Sequence, residues 1–151
     1  MKKFPKEVDL DFEVIREPWN KYSLIDGAHI RSRYLLLRLK KKEPTSETEK
    51  PSIGVDGQNI VAVYNVPPNL KGPPSRRVYP PEELRKSIVQ YDINYTTLYE
   101  EWNEYIAEDG TRIRVKQTMT KVGRTDKADK NGDPIYFVDH SIMVEVKPMK
   151  R

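Results

Sequence analysis

The only two tryptophans of this chain stand in the same short motif, Trp19-Asn20-Lys21-Tyr22 and Trp102-Asn103-Glu104-Tyr105. Sliding the sequence by that offset of 83 residues brings many other positions into register. Asp26-Gly27 falls on Asp109-Gly110, Ile30-Arg31 on Ile113-Arg114, and Val55-Asp56 on Val138-Asp139. Asp9, Glu17 and Pro51 fall on Asp92, Glu100 and Pro134. Conservative matches fill the intervals, such as Leu10 with Ile93, Phe12 with Tyr95 and Arg33 with Lys116. The alignment runs without a gap from Asp9 to Asp56, and one deletion then sets Ile60 on Ile142. A repeat of this kind limits the chain to two copies of one supersecondary unit. The copies cover residues 8–66 and 91–148, with a connecting segment at 67–90.

Each aligned pair gives two readings of one element. The runs Val8–Ile15 and Tyr91–Leu98 are rich in β-branched and aromatic residues and predict a strand. Asp-Gly next predicts a tight turn, because glycine takes a positive φ without a steric penalty. It joins Tyr22–Leu24 to a long arm, Ile30–Leu39. Alternation puts Ile30, Ser32, Tyr34 and Leu36 on one face, matched by Ile113, Val115, Gln117 and Met119, and this is the expected core face. Polar loops expected to be mobile follow at Lys40–Lys50 and Arg124–Asp133, then last strands at Asn59–Val66 and Ile135–Val146. Ile60, Ala62 and Tyr64 are expected to face inward with Ile142, Val144 and Val146. Between the copies, closely spaced prolines from Pro67 to Pro80 predict an extended linker, and Pro81–Ile88 a short helix with acids in its first turn. The expected fold is therefore mainly β. Two antiparallel units of three to four strands pack with pseudo-twofold symmetry as one integrated domain, with one short helix between them.

Composition narrows the function classes. Charged residues reach 33% against 36% hydrophobic, so the chain has to concentrate its apolar residues in strands to fold at all. With no cysteine, disulfides and thiolate metal sites are excluded. Met1–Pro5 has no apolar run after its lysines, and no stretch reaches the roughly 20 apolar residues of a membrane span. A cytoplasmic protein without membrane association is expected, and the Lys- and Glu-rich, proline-rich composition fits a thermophile.

No residue pattern points to catalysis, a cofactor or a metal. His29 and His140 do not correspond between the copies. Asp126–Asp133 lacks the spacing of a calcium loop and its closing glutamate. Asp26 and Asp109 are explained by their turns, and Trp19 and Trp102 are expected to plug the core of each unit. Two features remain. One is a repeated basic row comprising Arg31, Arg33, Arg38 and Lys40 in copy one and Arg112, Arg114, Lys116, Lys121 and Arg124 in copy two. Together with a net charge of +4, such rows on β-ribbons can track a phosphate backbone. They predict a non-enzymatic binding protein for RNA, DNA or a ribonucleoprotein such as the ribosome. The other is an apolar outer face on copy one, formed by Leu35, Leu37, Leu39, Val61 and Val63, where copy two has Thr118, Thr120, Val122, Met143 and Glu145. A monomer rarely exposes a patch of that kind. It predicts an interface with the helix, the other copy or a second chain, and hence a structural or assembly protein, as a homo-oligomer or with a protein partner.

Overall fold

The computed structural model describes residues 7–43 and 52–148. Within them the chain forms strands β1 (Glu7–Leu10), β2 (Phe12–Arg16), β3 (Asn20–Leu24), β4 (His29–Lys42) and β5 (Ser52–Tyr64). Helix α1 (Pro81–Lys86) follows, then β6 (Ile88–Gln90), β7 (Tyr95–Tyr99), β8 (Asn103–Ala107), β9 (Arg112–Ala128) and β10 (Pro134–Lys147). All pairings are antiparallel and make two sheets of five strands. In the first sheet the order is β5, β4, β3, β7, with β1 also on β4. In the second it is β10, β9, β8, β2, with β6 also on β9.

The two copies exchange a strand. β2 leaves its own sheet and pairs with β8, while β7 pairs with β3. Phe12 lies opposite Ala107, and its equivalent Tyr95 lies opposite Leu24. Asp11 is where copy one changes sheets, so the single strand expected over Val8–Ile15 is two, β1 and β2. The crossing is held on both sides by matching bonds, Glu108 N to Asp11 O (2.8 Å) and Ile25 N to Asn94 O (2.9 Å). Gly27 (φ 98°) and Gly110 (φ 87°) occupy the left-handed region in the two Asp-Gly turns, as that dipeptide predicts.

The strand register corrects the alignment. In copy one Ile30, Ser32 and Tyr34 stand opposite Val63, Val61 and Asn59; in copy two Ile113, Val115 and Gln117 stand opposite Val146, Val144 and Ile142. The offset of 83 therefore holds to the end of the last strand, with no deletion, and Ile60 corresponds to Met143. Even the irregularity repeats. Leu37 and Thr120 are extra residues bulged out of β4 and β9, between Leu36 and Arg38 and between Met119 and Lys121. A one-residue slip turns a strand over. Hence Val61 and Val63, expected outside, share the inner face, and Ile60, Ala62 and Tyr64 are outside. The bulge also returns Leu39 to the inner face, where it is fully buried. The five apolar candidates of copy one thus do not form one outer face. Leu39 and Val63 belong to or pack on the core, Val61 is inner-facing on an edge strand, Leu35 is half-buried, and Leu37 is 58% exposed on its bulge.

The core lies between the sheets in two equivalent lobes. One gathers Tyr22, Leu24, Ala28 and Ile30 of copy one with Ile93, Met119 and Val122 of copy two. The other gathers Tyr105, Ala107, Ile113 and Val115 of copy two with Tyr34, Leu36 and Leu39 of copy one. The inward rows expected from alternation on the long arms are all buried. Each lobe draws on both copies, and burying each large side chain is worth roughly 1.5–3 kcal/mol. Edge-to-face ring pairs repeat as well, Phe12 with Tyr105 and Tyr95 with Tyr22, both at 5.8 Å. At mid-sandwich the copies trade volume: Tyr34 fills the space over Gly57, where an added methyl would overlap its ring, while the smaller Gln117 stands at the position equivalent to Tyr34 and the larger His140 at that of Gly57.

The remaining expectations fare unevenly. The loop expected at Lys40–Lys50 starts later, because β4 runs to Lys42, and its residues 44–50 lie outside the described residues, as does Pro51. β9 continues to Ala128, well into the segment expected as the second loop, and the turn tightens around Gly132 (φ 81°). The linker is extended after a single 3-10 turn at Pro68–Leu70 and is tied to that hairpin through Gly72 N to Gly132 O and Ser75 N to Asp129 O, both 2.9 Å. α1 stops at Lys86 and lies on the second sheet, with the Arg85 guanidinium 5.4 Å from the Phe137 ring. It does not cover the sheet of copy one.

Candidate functional site

The outer face of each sheet begins as a basic row on a tryptophan. Outward alternation on β4 and β9 presents Arg31 and Arg33, Arg114 and Lys116. Trp19 and Trp102 lie half-buried beneath them rather than in the core. The Arg31 and Arg33 guanidinium carbons are 5.1 and 5.9 Å from the Trp19 ring, and Arg114 and Lys116 are 4.3 and 6.0 Å from the Trp102 ring. The core plugs are instead Tyr22 and Tyr105 of the same motif.

Most of these cations already have a carboxylate. Arg33 pairs with Glu17 (3.8 Å) and its equivalent Lys116 with Glu100 (4.0 Å). Arg38 pairs with Asp9, Lys40 with Glu7, Lys121 with Asp92, and Arg114 with both Glu104 and Glu145. Arg124 is built into the interior margin, 3.0 Å from Asp26, which also accepts from the Tyr136 hydroxyl at 2.7 Å. Its equivalent, Lys41, reaches Asp109 at 3.4 Å. Of the nine basic candidates, only Arg31 and Arg112 lack a salt bridge among the described residues. Arg31 is exposed and also lies 5.5 Å from the Tyr64 ring.

The buried polar groups serve the join between the copies. Asn20 Nδ2 donates to Gln117 O (3.0 Å) and Asn103 Nδ2 to Tyr34 O (2.8 Å). Glu17 accepts from the Tyr105 hydroxyl (2.8 Å) and Leu36 N (2.9 Å). Glu100 accepts from the Tyr22 hydroxyl (2.8 Å) and from Thr118 Oγ1 (3.1 Å). Burial first, and then these carboxylates, push both tyrosine hydroxyls far above their ordinary pKa, so they remain donors. Asp26 and Asp109 cap their turns, accepting from Ala28 N and Thr111 N. The Thr111 bond is the main reason that the Asp109 carboxyl is held below its usual range. The Asn59 amide donates to His140 Nδ1 at 2.9 Å, and burial lowers the imidazole pKa against the pull of Asp139 and Glu100.

Hollows on the surface differ in charge, one being walled by Asp11, Glu13 and Glu108 and another by Arg76, Arg77, Lys130 and Asp129. The one of about 250 Å³ over β8, β9 and β10 is walled by Arg112, Arg114, Glu104 and Glu145, of which three pair with each other. Among the described residues no group of three His, Asp or Glu side chains could hold a metal ion, and no helix is long and apolar enough to cross a membrane.

The strand edges stand out instead. Among the described residues β10 pairs only with β9, and β5 only with β4. On β10, Ile142, Met143 and Val144 are 44%, 54% and 42% exposed, and Val146 is exposed as well. Ile60 and Val61 of β5 lie on the same side of the sandwich, which the Asn59–His140 contact brings together. At the opposite side the exposed Ile15 of β2 and Leu98 of β7 flank an Arg16 Nη2 to Tyr99 hydroxyl bond of 3.0 Å. Of these edge residues only Val61 stands among the candidates expected from the sequence. Their signal was the unbroken triplet Ile142-Met143-Val144, since three adjacent residues of a strand cannot all face one core. Comparison of the chain with known proteins finds no matching family model, no matching curated protein and no matching solved structure.

Proposed function

We propose that this chain is a non-enzymatic assembly protein that joins other protein surfaces through its exposed strand edges. The observation that carries this reading is β10, which is apolar on both faces from Ile142 to Val144 and, among the described residues, has one neighbouring strand. Edges meant to stay single are guarded by lysine, proline or a bulge, and none interrupts this stretch. The basic rows support it from the other direction, since seven of their nine members spend their charge on carboxylates of the same molecule. Exposed pairs of that kind leave a weak outward field.

The nucleic-acid reading keeps one observation in its favour, the exposed Arg31 guanidinium between the rings of Trp19 and Tyr64. Size-exclusion chromatography with light scattering, run with and without total RNA, separates the two. The assembly reading expects a mass above the 17.7 kDa of one chain. That mass should persist from about 0.1 to 1 M salt, as the Debye length falls from about 10 to 3 Å, and RNA should leave it unchanged. The nucleic-acid reading expects co-elution with RNA that is lost in high salt and on Arg31→Glu. A chain that runs strictly as a monomer removes the assembly reading.

A further inference from the structure

We propose that β10 pairs antiparallel with β10 of a second copy of this chain, centred on Met143, so that the second sheet runs on through a symmetric dimer. This deepens the assembly reading and rests on it. An unpaired edge presents alternate backbone N–H and C=O groups outward, and another strand is their natural partner. Two identical strands that pair about a twofold axis must be centred on a residue, because any other register sets outward-pointing groups against inward-pointing ones.

Charge distinguishes Met143 from the centres on either side of it. With Met143 on the axis, Ile142 faces Val144, Ser141 faces Glu145, and Asp139 faces Lys147 at both ends of the pairing. Centring on Ile142 would set Asp139 against Glu145, which places like charges directly opposite. Centring on Val144 would carry Asp139 past the end of the strand. The bulge at Thr120 lies in β9, so β10 itself is regular, and Asp139, Met143 and Lys147 share its outer face as direct opposition requires. Among the described residues Asp139 has no salt bridge, and Lys147 forms one only with its neighbour Glu145 (3.4 Å). The equivalent strand β5 carries Asp56 as its single charge and has no self-complementary register, so β10 is the edge that pairs.

The symmetry also finds a place for the exposed apolar residues. A twofold axis perpendicular to the sheet keeps both inner faces on the same side. Ile142, Val144 and the inner-facing Val61 of one copy therefore meet the same three of the other across the seam.

The test is light scattering on charge-exchanged variants. Asp139→Lys sets lysine against Lys147, and Lys147→Asp sets aspartate against Asp139. Each should weaken self-association roughly tenfold or more, since two facing pairs turn from attraction to repulsion. Mixing the two variants restores both pairs, so an equimolar mixture should dimerise about as well as the wild type. Val144→Lys, at an already exposed position, should give monomer with an unchanged circular dichroism spectrum. A wild-type dimer indifferent to all three changes, or variants that do not rescue each other, overturns the β10 register while the assembly reading stands on another surface. A wild type that is monomeric throughout overturns both.

Discussion

Glu17 and Glu100 each take two hydrogen bonds at the places where the copies meet, and each lies beneath a basic side chain, Arg33 or Lys116. The Glu17 side chain is only 8% exposed. Removing it leaves the Tyr105 O–H and the Leu36 N–H, both buried, without their acceptor, although the hydroxyl oxygen still accepts from Asn103 Nδ2 (2.9 Å). Glu17→Ala should therefore cost about 2–4 kcal/mol of unfolding free energy in urea, whereas Tyr105→Phe, which removes a donor along with its need, should cost less. In the double variant the two losses should fall short of their sum by about 1 kcal/mol, as expected for direct partners. Simple additivity would show that Glu17 and Tyr105 do not act as a pair. The identity of Glu17 with Glu100 was plain in the repeat, yet their role was not. Tyr105 is 88 residues from Glu17, and no local pattern marks a partner in the other copy. The tryptophans mislead for a related reason. Their repetition shows that both copies need an aromatic there, but cannot say that arginine and lysine on the outer face are what cover it.

Among the elements, the long hairpins β4–β5 and β9–β10 show how far periodicity carries. Alternation on β4 and β9 identifies the buried rows because those arms are regular up to the bulge. The last strands are harder, because matching Ile60 to Ile142 looks better by residue type than the true match to Met143. That preference introduces a false deletion, and a false deletion inverts the strand. Packing decides the register. Tyr34 needs Gly57 beneath it, and at the equivalent place the second copy has the smaller Gln117 together with the larger His140. Gly57→Ala should then destabilise the fold by about 1–3 kcal/mol, through overlap with the Tyr34 ring and the Leu35 carbonyl. Adding Tyr34→Gln should recover part of that loss, because copy two already accommodates a larger residue beside glutamine. Denaturant midpoints of the two single variants and the double variant check this, and losses that merely add would mean that Tyr34 and Gly57 are not fitted to each other.

Across the whole molecule, the strand exchange decides what a copy is. Two β units with one helix between them were legible from the offset of 83 and the Asp-Gly turns, but the passage of β2 and β7 into each other's sheets was not. Asp11 is an ordinary residue in an ordinary strand sequence, and only the partner strand shows which sheet it enters. Because of the exchange, neither copy owns a complete core: Tyr22 and Ile30 pack with Met119 and Val122, and Ile113 and Val115 with Leu36 and Leu39. The linker, by contrast, adds a few backbone bonds, the Lys71–Asp133 ion pair and a Lys127–Tyr79 contact at the β9–β10 hairpin, and it keeps the copies near each other. Cutting the chain between Lys71 and Gly72 should thus leave fragments 1–71 and 72–151 that are each unfolded alone. Expressed together they should copurify one to one, with the circular dichroism of the intact chain and a thermal midpoint that rises with concentration, as mass action requires of two separate chains. A fragment that unfolds cooperatively by itself would show that one copy can close its own core. The exchanged strands would then be an embellishment on two independent units, and the edge of β10 would belong to a half-molecule.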